Sequence, residues 1–380
     1  QTRFYQFFAI TMATVMGIAF ADNLFTLYVF YELLTLSTYP LVVHAGNAKA
    51  KRGARTYLAL LLFTSVLFFL PAIIQTWLVG GSLDFSNGGL LSHDMTSTTL
   101  LAILLPLFVL GIGKGAIFPF HRWLPAAMVA PTPVSALLHA VAVVKGGVFT
   151  ILKVSVYVFG LDLLDTLPST QIVLHLAAIT VLFASLVALR QDNLKKRLAY
   201  STVSQLGYVT VGALLANKAG IIGGAMHMAI HGFGKITLFF CAGAILVMTG
   251  KTKISELNGI GRQMPVTMLA FIVASLSIIG LPPTAGSWSK WFLMSASIEA
   301  NQWFILTILA LSSLMNMFYL LPIGIRAFFT NGEMPTKKTN RFEAPLTMLT
   351  AITVCAFMCL MLFIFPEPLH ELASQIPPIQ

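Results

Sequence analysis

Apolar runs such as Ile10–Ala21, Leu24–Val43, Tyr57–Val79 and Leu100–Ile112 recur from one end of the chain to the other, separated by short polar connections. Segments built on them approach or exceed the ~20 residues that carry a helix across a bilayer. The pattern predicts an all-α, polytopic membrane protein with about eleven spans. They fall near residues 4–21, 24–44, 56–79, 99–130 with a break, 132–159, 170–189, 200–216, 220–249, 265–297 with a break, 303–329 and 344–366. The longest polar connections, around 80–98 and 330–343, are too short for a separate soluble unit, so residues 1–380 read as one transmembrane domain.

Composition agrees. Hydrophobic residues make up 57% of the 380 positions and charged residues only 9%, with a mean hydropathy of +0.86. Soluble globular domains carry nearly three times that charged fraction. The start, QTRFYQFF, has neither an initiator Met nor a signal-peptide pattern, which leads us to expect that the N-terminal part of a longer protein is missing. Cys241, Cys355 and Cys359 fall inside predicted spans without metal-ligand spacing and read as buried small hydrophobes.

The net charge of +10 could suggest nucleic acid, but its distribution gives another explanation. Threading the spans through a bilayer puts Arg3, Lys49, Lys51, Arg52, Arg55, Arg190, Lys195, Lys196, Arg197, Lys251, Lys253, Arg262, Arg326, Lys337, Lys338 and Arg341 on one side. Of the loop bases only Lys218 falls on the other. By the positive-inside rule the basic side is cytoplasmic, with the C-terminal tail outside, as in a multi-pass protein of a bacterial-type inner (plasma) membrane. Basicity here is topology, and no nucleic-acid partner is expected.

A second set of ionisable residues is predicted at membrane depth: Glu32, Lys114, Arg122, Lys145, Lys153, Lys235 and Lys290, with His121, His139, His227 and His231. An ionised group at the bilayer centre costs at least about 2.5–3.5 kcal/mol, so several together imply a hydrated or paired interior path. His227, His231 and Lys235, in MHMAIHGFGK, follow i, i+4, i+8 spacing and share one helical stripe. His139 and Lys145 lie six apart, about 9 Å of rise, so a water or polar side chain is needed between them. Glu32 is the one acid placed deep in a span, and Lys114 is its expected partner. Lys153, eight residues beyond Lys145, suits the path or snorkelling to the interface equally. Burial disfavours an ammonium and a nearby carboxylate favours it; a lysine held between the two can load and release a proton.

Two interruptions accompany these charges. Pro119 follows Lys114 by five residues, and Pro282, Pro283 and Gly286 precede Lys290 in GLPPTAGSWSK. Paired interrupted helices are the signature of transporter halves related by inverted repeat. The expected halves are about 4–159 and 170–329, with an extra C-terminal helix at about 344–366. Freed backbone groups need polar partners, so both breaks should line cavities. Nothing suggests chemistry by the chain alone. There is no iron–sulfur cysteine cluster, GIGKG at 111–115 is not a dinucleotide loop, and MTGKTK has Ile245 where a phosphate loop needs its first Gly. No cofactor or metal is expected.

The stretches FPFHRWLPAAMVAPTPVSALLHAVAVVKGGVF, QDNLKKRLAYSTVSQLGYV, HGFGKITLFFCAGAI and GLPPTAGSWSKWFL together resemble the antiporter-like proton-conducting subunits. These are shared by respiratory complex I, Mrp-type cation/proton antiporters and membrane-bound hydrogenases. The resemblance runs from about residue 5 to 365 and implies a chain without the family's first three helices. It implies that Glu32 pairs with Lys114, that Lys145 follows on the next helix, and that His121 and His139 connect them. His231, Lys235 and Lys290 supply the second half of a hydrophilic axis. Arg122 departs from the glycine common in the family's motif, and an interfacial anchor is one role for it. The style of ALLHAVAVVKGGVF inclines the resemblance towards an Mrp-type D-like subunit over complex I. The implied function is proton translocation within a complex of several membrane subunits, most simply coupled to Na⁺ or K⁺ antiport. The alternatives are proton pumping in a complex I-type or hydrogenase complex, a non-conducting scaffold, and a membrane partner for inorganic-carbon uptake.

Overall fold

The computed structural model describes residues 2–330 and 343–376, so Lys337, Lys338 and Arg341 of the expected basic loop lie outside the described residues. Helices account for nearly all of it: α1 (Thr2–Phe20), α2 (Leu24–Val42), α3 (Ala48–Gly80), α4 (Thr98–Gly111), α5 (Thr132–Phe159), α6 (Pro168–Leu189) and α7 (Leu194–Leu214). They continue with α8 (Lys218–Thr249), α9 (Pro265–Ile279), α10 (Gly286–Glu299), α11 (Trp303–Phe329), α12 (Leu346–Ile364) and a short α13 (Glu367–Ser374). Seven of these are long and apolar enough to cross a membrane, namely α1, α3, α5, α6, α8, α11 and α12, while α4 and α9 are shorter apolar helices. The protein is therefore a multi-pass membrane protein. The larger number expected from the sequence depends on α2, α7 and the two interrupted segments.

Helix starts fall earlier than the apolar runs because asparagines cap them. Asn47 Oδ1 accepts from Ala50 N–H at 2.8 Å, and Asn193 Oδ1 accepts from Lys196 N–H at 3.1 Å. Basic residues 195–197 thus enter the first turn of α7 rather than a loop. That helix is among the less apolar in sequence, yet it is deeply buried. It packs on α5, α6 and α8, and every residue from Ser201 to Leu214 is buried. Its serines bond across helices, with Ser185 Oγ of α6 meeting Ser204 Oγ and Ser312 Oγ of α11, both at 2.9 Å. Such bonds join helices where lipid offers no hydrophobic drive.

The loops gather at two ends. At one, Leu194 N–H donates to Thr252 O at 3.0 Å, and Lys195 Nζ donates to Ala130 O at 2.7 Å. Asp192 accepts from the Ser255 hydroxyl at 2.8 Å and the Ser255 N–H at 3.0 Å. Those bonds hold its carboxyl below the usual carboxylate range. At the other, Leu24 N–H donates to Leu83 O at 2.9 Å, and Leu90 N–H donates to Val158 O at 2.9 Å. Lys49 of the earlier basic segment lies at the same first end, around one cavity with Lys195, Lys196 and Thr252.

Both interruptions exist, but the first is displaced from its expected position. Helix α4 stops at Gly111, before Lys114 and well before Pro119. The segment packs closely on α3: a Cβ on Gly113 would sit 2.1 Å from Thr64 Oγ1. Freed donors find protein partners: Lys114 N–H donates to Tyr31 Oη at 3.1 Å, and Phe118 N–H to Thr180 Oγ1 at 3.1 Å. Trp123 Nε1–H closes the loop on Gly113 O at 2.9 Å. Replacing Trp123 with Phe should cost about 1 kcal/mol by removing that bond, since Gly113 O keeps Ala116 N–H at 3.0 Å, a loss measurable as a slightly lower melting temperature in detergent. At the second interruption α9 ends at Ile279, and Gly280 adopts φ 89°. Pro282 and Pro283 lie within the connection, and α10 resumes at Gly286.

Candidate functional site

Lys114 occupies the first break and is fully buried. Its Nζ donates to Tyr31 O at 2.8 Å and to Thr35 Oγ1 at 2.7 Å, and lies 3.1 Å from the centroid of the Tyr31 ring. Tyr31 and Thr35, four apart, share one face of α2. Glu32 is one residue round the helix and turns away from that face. Both its carboxylate oxygens are buried, and neither has a hydrogen-bond partner among the described residues. The direct Glu32–Lys114 pair expected from the sequence is thus replaced by a carbonyl, a hydroxyl and an aromatic face, with Glu32 nearby but not hydrogen-bonded to the lysine.

Lys145 does not look along its own helix to His139. Its Nζ meets His231 Nδ1 of α8 at 2.8 Å. His139 sits in a π turn, Leu137–Val141, with its ring 4.9 Å from that of Phe239 and both nitrogens buried without partners. Such turns shift the register of a helix face, and they cluster at functional sites.

The His227, His231 and Lys235 stripe forms as the spacing requires, but its three polar ends reach three different elements. His227 Nδ1 lies 3.0 Å from Ser289 Oγ of α10, and its ring stacks on Tyr208 at 5.4 Å. His231 follows, its ring 6.0 Å from that of His227. Lys235 Nζ donates to Ser201 Oγ at 2.6 Å and to Leu198 O at 3.3 Å on α7. The Ser201 hydroxyl donates in turn to Tyr319 Oη at 2.9 Å, and the Tyr319 hydroxyl donates to Asn316 Oδ1.

Lys290 lies within α10 and reaches back across the second break. Its Nζ donates to Ile279 O at 2.9 Å and to Ser313 Oγ at 2.9 Å. Ile279 O is a terminal carbonyl of α9, where the helix dipole favours a cation. The same Nζ lies 4.8 Å from the Tyr208 ring centroid, so Tyr208 stands between Lys290 and His227. Residues 145, 231, 227, 208 and 290 therefore form a run of direct contacts through the middle of the fold.

Other expected residues sit apart from this run. His121 is buried beside Phe118 and Phe183, at 5.8 and 5.5 Å between ring centroids, with Nδ1 unpartnered. It makes no hydrogen bond to Lys114. Arg122 is exposed, in keeping with an anchor. Lys153 is half-buried and donates to Ala21 O at 2.5 Å. Cys241 and Cys359 are buried and Cys355 partly so. No group of three or more His, Cys, Asp or Glu side chains suited to a metal occurs among the described residues.

Sequence reasoning missed the hydroxyl partners Tyr31, Thr35, Ser201, Tyr208, Ser289 and Ser313. Each is a hydroxyl within a membrane helix, several beside other hydroxyls, a weak signal that gains meaning only once a lysine or histidine is seen to end on it.

Residues 21–316 match the family described as NADH:quinone oxidoreductase/Mrp antiporter, transmembrane. The chain belongs to this family. Every charged or imidazole group of the site, from Glu32 to Lys290, falls inside the matched stretch. Among similar family members is NADH-quinone oxidoreductase subunit N of Desulforudis audaxviator, 32% identical over 379 residues, covering 97% of this chain and 75% of the relative. Another is a Na(+)/H(+) antiporter subunit of Alkalihalophilus pseudofirmus, 27% identical with 98% and 75% coverage. The chain thus spans three quarters of either relative. Its fold matches a chain of the Mrp complex from Dietzia sp. DQ12-45-1b, with a TM-score of 0.84, 20% identity and 97% and 76% coverage. It also matches a chain of the membrane-bound sulfane sulfur reductase, an archaeal respiratory membrane complex, with a TM-score of 0.85, 25% identity and 98% and 76% coverage.

Proposed function

We propose that this chain is the proton-translocating, antiporter-like subunit of a larger membrane complex, with its basic loops cytoplasmic and its other end facing outward. The observation that carries the reading is the contact of Lys145 Nζ with His231 Nδ1 at 2.8 Å. It joins a lysine of the first half to an imidazole of the second at the centre of the fold. Neutral imidazole both accepts and donates, so a proton on Lys145 can pass to His231 while the far ring nitrogen releases another. His227, Tyr208 and Lys290 extend the route one way, and Lys235 with Ser201 extends it the other.

Glu32 acts on this route through space. A carboxylate without a direct partner stabilises positive charge on Lys114, and neutralising or moving that carboxylate withdraws the support. The ammonium then gives up its proton more readily. An aromatic face and two oxygens hold the lysine in place throughout, so only its charge has to change. A scaffold would gain nothing from desolvating this many ionisable groups.

The coupled process is cation/proton antiport in our first reading, as the name of the Alkalihalophilus pseudofirmus relative indicates for that protein. The higher identity to the Desulforudis audaxviator oxidoreductase subunit supports a second reading, in which electron transfer in partner subunits drives the same proton route. Purified complex in vesicles separates them. Acidification driven by a Na⁺ or K⁺ gradient supports the first, and acidification only with quinone reduction supports the second. A complex that moves no protons under either drive sinks both. In the same vesicles, Thr35→Val removes one acceptor from the Lys114 ammonium and should slow flux roughly fivefold, the equivalent of about 1 kcal/mol.

A further inference from the structure

Helix α5 is buried almost throughout, with one exception. From Val143 to Phe159 the only partly accessible residues are Lys145, Phe149, Lys153 and Tyr157, each four after the last. That spacing traces a single line along one face of the helix. Across the seam on α8, Ala225, Met228 and Gly232 are partly accessible as well, whereas Gly223, Gly224, Met226, His227 and Ile230 are buried. The line starts at the end opposite the basic loops, reaches Lys145, and is continued one turn further by the partly accessible Val141.

A cavity of about 420 Å³ opens at that start, lined by Asp22, Phe85, Phe149, Lys153, Ala225 and Met228 among others. Its walls are fixed by backbone bonds, Phe85 N–H to Asp22 O at 3.2 Å and Ser86 N–H to Tyr157 O at 3.3 Å. Lys153 Nζ is held by Ala21 O at 2.5 Å, with the Phe85 ring centroid 4.3 Å away. An ammonium and a carboxylate in one cavity hold water there. Of its lining residues, Phe149 and Met228 stand nearest along the chain to Lys145 and His231, and we take them as its floor. Phe149 is one turn from Lys145, about 5–6 Å of rise, and Met228 is three residues from His231. The cavity therefore stops about one helical turn short of the Lys145–His231 contact. His231 Nε2 and His227 Nε2 lie buried beyond that floor, and neither has a partner among the described residues. Unpartnered imidazole nitrogens beside a polar cavity are where bridging water belongs.

Resting on the proton-transport reading, we infer that the seam between α5 and α8 is a water-filled proton port, running from the Lys153 cavity to the Lys145–His231 pair and closed between passages by the Phe149 and Met228 side chains. The ligand it takes is the proton, carried on water. Hydrocarbon is a poor occupant of the seam, because two lysines at four-residue multiples on its line would face it. The two side chains at the floor are unbranched or turn about two torsions, so they can swing aside without moving either helix.

The test is side-resolved labelling of the assembled complex with Cys241, Cys355 and Cys359 replaced by Ala. Tyr157→Cys and Phe149→Cys should react with a membrane-impermeant cationic thiol reagent added on the side opposite the basic loops, Phe149→Cys more slowly. The buried control Val148→Cys should stay unmodified. Modification of Phe149→Cys should then remove most of the proton flux. Reaction only with a lipid-soluble maleimide would make the line a lipid face, and reaction only after partner subunits are stripped away would make it a subunit interface. Either result overturns the port. Labelling does not depend on transport, so a complex that labels as expected yet carries no protons even before modification overturns the transport reading, whereas one that carries protons without labelling overturns the port alone.

Discussion

Lys145→Leu should abolish most proton flux, at least about a tenfold loss or some 1.4 kcal/mol in the limiting barrier, while leaving the melting temperature unchanged or raised. Lys145 is the group that joins α5 to α8, through His231 Nδ1 at 2.8 Å. Leucine fills much of the space of the lysine stem and carries no proton. The stability side of this expectation follows from desolvation. Holding an ammonium in a low-dielectric interior is itself unfavourable, so an apolar replacement of similar shape removes a cost along with a contact. The one group left behind is a neutral imidazole nitrogen, worth about 1–3 kcal/mol if it stays dry. Flux and thermal stability therefore move in different directions, which a residue serving only the packing would not produce. Vesicle acidification and thermal unfolding of the same preparation measure both. A Lys145→Leu complex with normal flux would sink the relay, and one that melts well below wild type would reassign the lysine to structure.

Gly286→Ala should be the most destabilising single methyl added to the chain, costing about 3 kcal/mol or more. A Cβ there would lie 1.7 Å from Ser277 O. That atom belongs to the backbone of α9 and cannot rotate away as a side chain would. The glycine lets the start of α10 press against the end of α9, and this approach brings Lys290 Nζ within 2.9 Å of Ile279 O. Forcing the two half-helices apart would lower the yield of folded protein and detach Lys290 from the carbonyl that holds it. Gly80→Ala is the control, because its added Cβ would meet Leu90 Cγ at an ordinary 3.5 Å. If both variants melt together with wild type, the tight crossing at Gly286 is not a determinant of the fold.

The charged and imidazole residues of the candidate site are largely legible in the sequence. A lysine or histidine in an apolar run stands out wherever hydrocarbon is expected, and the His227, His231 and Lys235 spacing sets their common face without knowledge of any contact. Each difference between expectation and structure has a local explanation. Proline chemistry points to a first break at Pro119, yet the helix ends at Gly111, and the close approach of Gly113 to Thr64 there is invisible in the sequence, because a glycine in a close crossing leaves the same letter as one in open space. Opposite charge points to Glu32 as the partner of Lys114, whereas a carbonyl, a hydroxyl and a ring serve instead. Hydroxyl partners such as Tyr208 and Ser201 carry no comparable signal, since serine and tyrosine occur throughout membrane helices without consequence.

By itself the sequence determined that this is a helical membrane protein and which ionisable groups it buries, and it set which of them share a helix face. Those properties follow from local periodicity and from the cost of charge in hydrocarbon, and both are written residue by residue. Only the tertiary structure decided which groups meet: Lys145 with His231, Lys290 with the end of α9, and the accessible line on α5 with the cavity at Lys153. Periodicity states which way a side chain points and leaves open what lies opposite, because that depends on how closely a second helix can approach, and hence on glycines and hydroxyls far away in the chain.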